Sequence, residues 1–230
     1  MTNIFQQSLL VGNDIIDITS PENLVKHSNE RLVLRVLSVD EQSQLLKSNR
    51  PELVFLAQWA AKESAYKLLK KRDSNLLFAH AKFHVTGADS YIEKGKNPGQ
   101  VTYAKNSQDD NEVVNVEWQR SDSWLHCIAR CPITPAPFIY CIELISSDLI
   151  SGDFSEEEQI SIYSDQSKAV RNLAKKMLRK RKIDHPRIIR HKEERRFSPP
   201  WIYADKKRVN HLDLSLSHDG KFMAAVLAGE

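Results

Sequence analysis

The residues whose types and spacing could do chemistry sit first in Pro51–Lys71, PELVFLAQWAAKESAYKLLKK. Leu56, Trp59, Ala60, Glu63, Tyr66 and Lys67 recur at helical spacing, which puts Glu63 within an apolar stripe. A carboxylate in that position must be paired or hold a cation. Lys67, one turn on, offers a plain helix pair worth only about 0.2–0.5 kcal/mol. A second carboxylate stands in Val11-Gly-Asn-Asp-Ile-Ile-Asp17, where Asp14 shares a strand face with Gly12 and Ile16. Asp14 and Asp17 could simply cap the helical region that follows. Magnesium, however, takes one or two carboxylates and completes its shell with phosphate oxygens and water. Asp14 and Glu63 would supply that pair.

Two further stretches carry candidates. In His211-Leu-Asp-Leu-Ser-Leu-Ser-His-Asp-Gly220, leucines alternate with polar residues, so a half-buried strand ends near His218, with hydroxyl and imidazole placed for phosphate contact. A Ser/His/Asp triad does not follow, because adjacent residues cannot point at one another. In the helix expected over Asp165–Lys182, Lys168, Arg171, Lys175, Arg179 and Lys182 line a basic face beside a buried stripe of Val170, Leu173, Met177 and Leu178. That face lies in a segment, residues 168–197, with thirteen Lys or Arg against three acids. The chain as a whole carries only +3, so positive charge is concentrated there, as a polyphosphate ligand or an acidic partner surface requires.

The elements that must position these residues come in the same order twice. A strand at about 9–17, helices near 29–36, 39–46 and 52–72, and strands near 81–86, 100–104, 113–118 and 124–130 are followed by a strand at about 138–145, helices near 156–162 and 165–182, and strands near 187–191, 201–204, 211–216 and 222–227. Between the passes lies Cys131–Pro137, whose three prolines make it a linker. The expected fold is α+β, with two halves, 1–134 and 135–230, each a helix layer on a mainly antiparallel sheet. Glu93–Gly99 and Asn106–Glu112 read as hairpin connections.

Composition narrows the classes further. At 41% hydrophobic and 27% charged the chain is ordinary globular material. Its seven glycines form neither a dinucleotide fingerprint nor a P-loop. Three cysteines, Cys127, Cys131 and Cys141, are too few for a disulfide framework, and Cys127 and Cys131 are expected to be buried thiols. The N-terminus shows no signal-peptide pattern and no run is long enough to span a membrane, so a cytoplasmic protein is expected.

VGNDIID, WAAKESAYK and SLSHD, in that order, resemble the three motifs of the 4′-phosphopantetheinyl transferases: G-x-D, W-x-x-K-E-x-x-x-K and S-x-S-H. The motif order is that of the small holo-acyl-carrier-protein synthases. The length is that of the larger surfactin-synthetase type, a pseudo-dimer of two such halves, and here the halves resemble that type in permuted order. Asp14 and Glu63 match the family's metal ligands, and Lys62 and Lys67 match lysines flanking the reacting phosphate. Ser217 and His218 match contacts to the 3′-phosphate end of coenzyme A. Two departures stand out: Ile16 occupies the place of a further acid, with Asp17 nearby instead, and Phe197-Ser198-Pro199 replaces a Gly-Lys-Pro stretch.

The resemblance implies magnesium-dependent transfer of 4′-phosphopantetheine from coenzyme A to a serine of an acyl or peptidyl carrier protein, releasing 3′,5′-ADP. Glu63, Lys67 and Lys62 would be catalytic, with Glu63 taking the serine proton. Ser217, His218, Arg171, Lys168 and Lys175 would bind coenzyme A. A monomer is expected, with neither membrane nor nucleic acid as partner. Two alternatives are a nucleic-acid-binding module using the basic 168–197 segment, which would leave Glu63 unexplained, and an inactive coenzyme A-binding homologue.

Overall fold

A computed structural model describes residues 9–87, 95–105, 111–133, 135–193 and 196–229. In the first part of the chain, β1 (Val11–Asp17), β2 (Phe83–Thr86), β3 (Gly95–Tyr103), β4 (Glu112–Arg120) and β5 (Trp124–Arg130) form one sheet in the order β1-β5-β4-β3-β2. In the second, β6 (Phe138–Leu144), β7 (Arg187–Ile189), β8 (Lys192–Glu193), β9 (Arg196–Phe197), β10 (Trp201–Ala204), β11 (Lys207–Arg208), β12 (Asp213–Asp219) and β13 (Phe222–Ala228) form sheets β12-β13-β6 and β11-β10-β7 and a β8-β9 ribbon. Every pairing is antiparallel. With the helices packed on these sheets, the fold is α+β. In both parts the first strand pairs with the last, which pairs in turn with the strand before it.

Three expectations need correction. Gly95–Gly99 is not a hairpin loop but the first half of β3, paired with β4 from Gly95 opposite Arg120. Because β2 pairs with β3 only as far as Gln100, the missing N–H of Pro98 faces no strand among the described residues. The residues at 93–94 and 106–110 lie outside the described residues. The basic helix stops at Lys180, short of Lys182, which adopts a left-handed φ of 61°.

The third correction concerns the Pro51–Arg72 helix, which is not amphipathic in the simple sense. Leu53 to Ala57, Ala60, Ala61, Ser64, Ala65, Leu68 and Leu69 are all buried, so helices at Glu30–Val36 and Val39–Lys47 and the first sheet enclose it nearly all round. The less buried face is the one carrying Trp59, Glu63, Tyr66 and Lys67. Glu63 therefore stands at an opening in the packing and not in an apolar stripe.

A buried clamp occurs once in each part. Ser38 and Glu41 form a capping box, Glu41 Oε2 takes the Lys62 ammonium at 2.6 Å, and Glu41 Oε1 accepts the Val85 N–H of β2 at 2.8 Å. Lys62 also donates to the Val36 carbonyl, two residues before the cap. In the second part Ser155 and Glu158 form the capping box, Glu158 holds the Lys175 ammonium at 2.8 Å, and Glu158 Oε1 accepts the Ile188 N–H of β7. Lys175 donates to the Asp153 carbonyl, again two residues before the cap. Each clamp ties a capped helix, the long helix and the strand after it at one buried point.

This geometry overturns two expected roles. Lys62, with no exposure, and Lys175, with 4%, are committed to the fold and do not face a phosphate site. Removing one partner of such a pair leaves a buried charge, so Glu41→Leu is expected to cost about 3–5 kcal/mol. Adding Lys62→Met should recover most of the loss. Urea unfolding of the two variants checks this, and the same cycle at Glu158 and Lys175 should behave alike.

Candidate active site

The site forms where β1 meets the Pro51–Arg72 helix on one side and β12 on the other. Alternation along β1 sends Val11 and Ile15 toward β13, where they pack with Val226 and with Phe222 and Ala224. Gly12, Asp14 and Ile16 face the helix. Gly12 must be glycine, because a Cβ there would stand 1.9 Å from the Ser64 carbonyl oxygen. That close approach brings Lys67 Nζ to 2.9 Å from Asp14 Oδ1 and 2.9 Å from the Asn13 carbonyl.

The outer edge of β1 is closed by side chains and not by another strand's backbone. The N–H groups of Val11, Asn13, Ile15 and Asp17 donate to Asp213 Oδ2, Ser215 Oγ, Ser217 Oγ and Asp219 Oδ2 at 2.8–3.0 Å. The polar residues Asp213, Ser215, Ser217 and Asp219 of β12 are thus a ladder of acceptors that joins the two parts of the chain and covers an exposed edge. Lys71 locks the ladder's end, bonding the Val11 and Leu214 carbonyls and Asp213.

Above this seam opens a cleft of about 430 Å³, lined by Tyr66 and Lys67 from the first part and Arg171, Arg190, Phe197 and His218 from the second. Arg171 is 3% exposed and held by Ser161 and Ser167, yet its Nε has no partner among the described residues. Burial, followed by the neighbouring Arg190, pushes its guanidinium down to about 10. Two crowded cations with an unused donor fit an anion of high charge. Burial and then Lys67 lower the His218 imidazole, leaving it neutral near pH 7.

Glu63 has no hydrogen-bond partner among the described residues. Burial raises its carboxyl to about 7, with the Asp14 charge adding to the rise and Lys67 opposing it. Lys67 is engaged by Asp14, so the simple Glu63–Lys67 pair is not formed. Both bonds to Asp14, from Lys67 and from Ser217, fall on Oδ1, and Oδ2 has no hydrogen-bond partner among the described residues. Two neighbouring carboxylates with unused oxygens suit a hard divalent cation. No group of three or more His, Cys, Asp or Glu side chains able to hold a metal occurs among the described residues, so such a cation would complete its shell with phosphate and water.

Asp17 does not join them. It points to the opposite face of β1, where it accepts from Thr19 N and Oγ1, and although burial would raise its carboxyl, these bonds hold it low. Lys168 is also outside the cleft, paired with Asp165 on the surface. Of the basic helix face, only Arg171 reaches the cleft. Phe197, from the stretch that stands in place of Gly-Lys-Pro, lines the cleft, and so does Arg190, which no sequence motif marks. The concentration of charge in 168–197 covers Arg190, but only the fold of β7 and β9 aims it.

Residues 10–116 match the family model of the 4′-phosphopantetheinyl transferase superfamily. This stretch, slightly less than half of the chain, is thus similar to a domain of that superfamily. The match contains Asp14, Glu63 and Lys67 and ends within β4, so Arg171, Ser217 and His218 lie beyond it. No curated protein matches the chain. No helix among the described residues is long and apolar enough to cross a membrane.

Proposed function

We propose that the chain transfers 4′-phosphopantetheine from coenzyme A to a serine of an acyl or peptidyl carrier protein, with magnesium, releasing 3′,5′-ADP. The observation that carries this reading is the meeting of Asp14 and Glu63 with Lys67, which itself lines a cleft whose other wall holds Arg171, Arg190 and His218. Asp14 and Glu63 would hold the magnesium ion, which when bound neutralises pyrophosphate oxygens. Arg171 and Arg190 bind the phosphates of coenzyme A, and His218, neutral at pH 7, donates or accepts a hydrogen bond at the cleft rim. Lys67 stabilises charge that develops on the departing 3′,5′-ADP. Glu63 takes the proton from the serine hydroxyl as its oxygen bonds to the phosphorus that bears pantetheine and the bond to the ADP oxygen breaks.

The repeated strand order and the repeated clamp support a further part of this reading: the two parts of the chain are copies of one unit, and a monomer holds one complete site. Titration calorimetry of coenzyme A with magnesium tests the cleft. Arg171→Glu is expected to weaken binding at least tenfold, whereas Lys168→Glu, outside the cleft, should leave it unchanged. Equal affinities for wild type and Arg171→Glu would remove the cleft as the coenzyme A site.

A further inference from the structure

Ser217 does not have the hydroxyl proton that a phosphate contact would need. A serine hydroxyl has one proton to donate and two lone pairs. Ser217 Oγ accepts the Ile15 N–H at 3.0 Å and donates to Asp14 Oδ1 at 2.8 Å. Its single proton is therefore spent on Asp14. Ser217 is also 6% exposed, and strand alternation sends its neighbour His218 to the other face, into the cleft. The three other residues of the acceptor ladder, Asp213, Ser215 and Asp219, take a β1 N–H without touching Asp14.

We infer that Ser217 is a positioning residue, which orients the Asp14 carboxylate for a divalent cation from across the seam between the two parts of the chain. Together with Lys67 it fixes Oδ1 and so aims Oδ2 outward. Hydrogen bonds to ligating carboxylates commonly set metal affinity in this way, by about 10–100-fold. The second part of the chain thereby completes a cation site whose ligands both belong to the first. This inference rests on the proposed use of Asp14 as a metal ligand.

The test measures Mn²⁺ binding directly, by electron paramagnetic resonance of the free ion, on the full chain without coenzyme A. Ser217→Ala is expected to weaken Mn²⁺ binding about tenfold, and Ser217→Thr, which keeps the hydroxyl, to restore it. Ser215→Ala loses an equivalent rung of the ladder and should show a similar fall in stability with unchanged Mn²⁺ affinity. In a parallel titration, the ratio of affinities for coenzyme A and dephospho-coenzyme A should be the same in Ser217→Ala as in wild type. If Ser217→Ala keeps wild-type Mn²⁺ affinity and loses that ratio, Ser217 contacts the 3′-phosphate and the inference is wrong. If Ser215→Ala weakens Mn²⁺ as much as Ser217→Ala, the effect is one of general stability and the inference also fails. If the wild type binds no Mn²⁺ that Asp14→Ala abolishes, the metal-ligand reading itself fails.

Discussion

Glu63→Gln is expected to lower the rate of transfer by about 10²–10⁴-fold, the usual contribution of a positioned general base, while making the metal-free protein more stable at about pH 8. The two effects have one cause. The Glu63 carboxyl titrates near 7 in the fold against 4.5 in the unfolded chain, so between those values the native state binds the proton more tightly. Stability is unaffected below about pH 4.5, falls as pH rises through the interval, and is lowest above about 7. Glutamine never ionises and escapes this loss, a gain of roughly 1–3 kcal/mol that should shrink as pH falls toward about 5. Thermal melts at several pH values and transfer rates of wild type and variant check both. Wild-type activity in Glu63→Gln, or a stability gain that does not depend on pH, would deprive Glu63 of its role.

Gly12→Ala is expected to cost about 3 kcal/mol or more and to abolish transfer. The added Cβ would meet the Ser64 carbonyl oxygen at 1.9 Å and the Leu68 nitrogen at 2.9 Å. Both are backbone atoms of the enclosed helix, so β1 and the helix must separate, carrying Asp14 away from Lys67. Gly152→Ala provides the contrast. The nearest neighbours of its Cβ would be atoms of the Asn172 side chain, which can turn aside by giving up its bond to the Leu149 carbonyl, and the cost should be about 1–2 kcal/mol. Urea unfolding of both variants gives the comparison, and equal stabilities would mean that the approach at Gly12 is not needed.

Much of this arrangement is legible before any fold is known. Alternation and helical spacing place β1, the Pro51–Arg72 helix and the strands β5, β10 and β13 within one or two residues of their ends, because each is bounded by proline, glycine or a cap. Asp14, Glu63 and Lys67 stand out for their setting among apolar neighbours. Lys62 and Lys175 mislead, because a lysine beside a catalytic glutamate or on a basic face has the same pattern whether it is open to ligand or buried. Only long-range partners, Glu41 and Glu158, decide between these. The β12 ladder is hidden for a related reason: Leu212, Leu214 and Leu216 alternating with polar residues signals a half-buried strand, and nothing local tells that β1 provides the donors. Arg190 reaches the cleft through the fold of a three-residue strand and a ribbon, elements too short for periodicity to specify.

The most direct measurement is mass spectrometry of apo acyl and peptidyl carrier proteins incubated with this protein. The expected result is a gain of one phosphopantetheinyl group on a carrier serine, dependent on both coenzyme A and magnesium and lost in Asp14→Ala. Coenzyme A binding with no mass gain on any carrier, under conditions where magnesium is bound, would contradict the account and leave a binding protein without transfer.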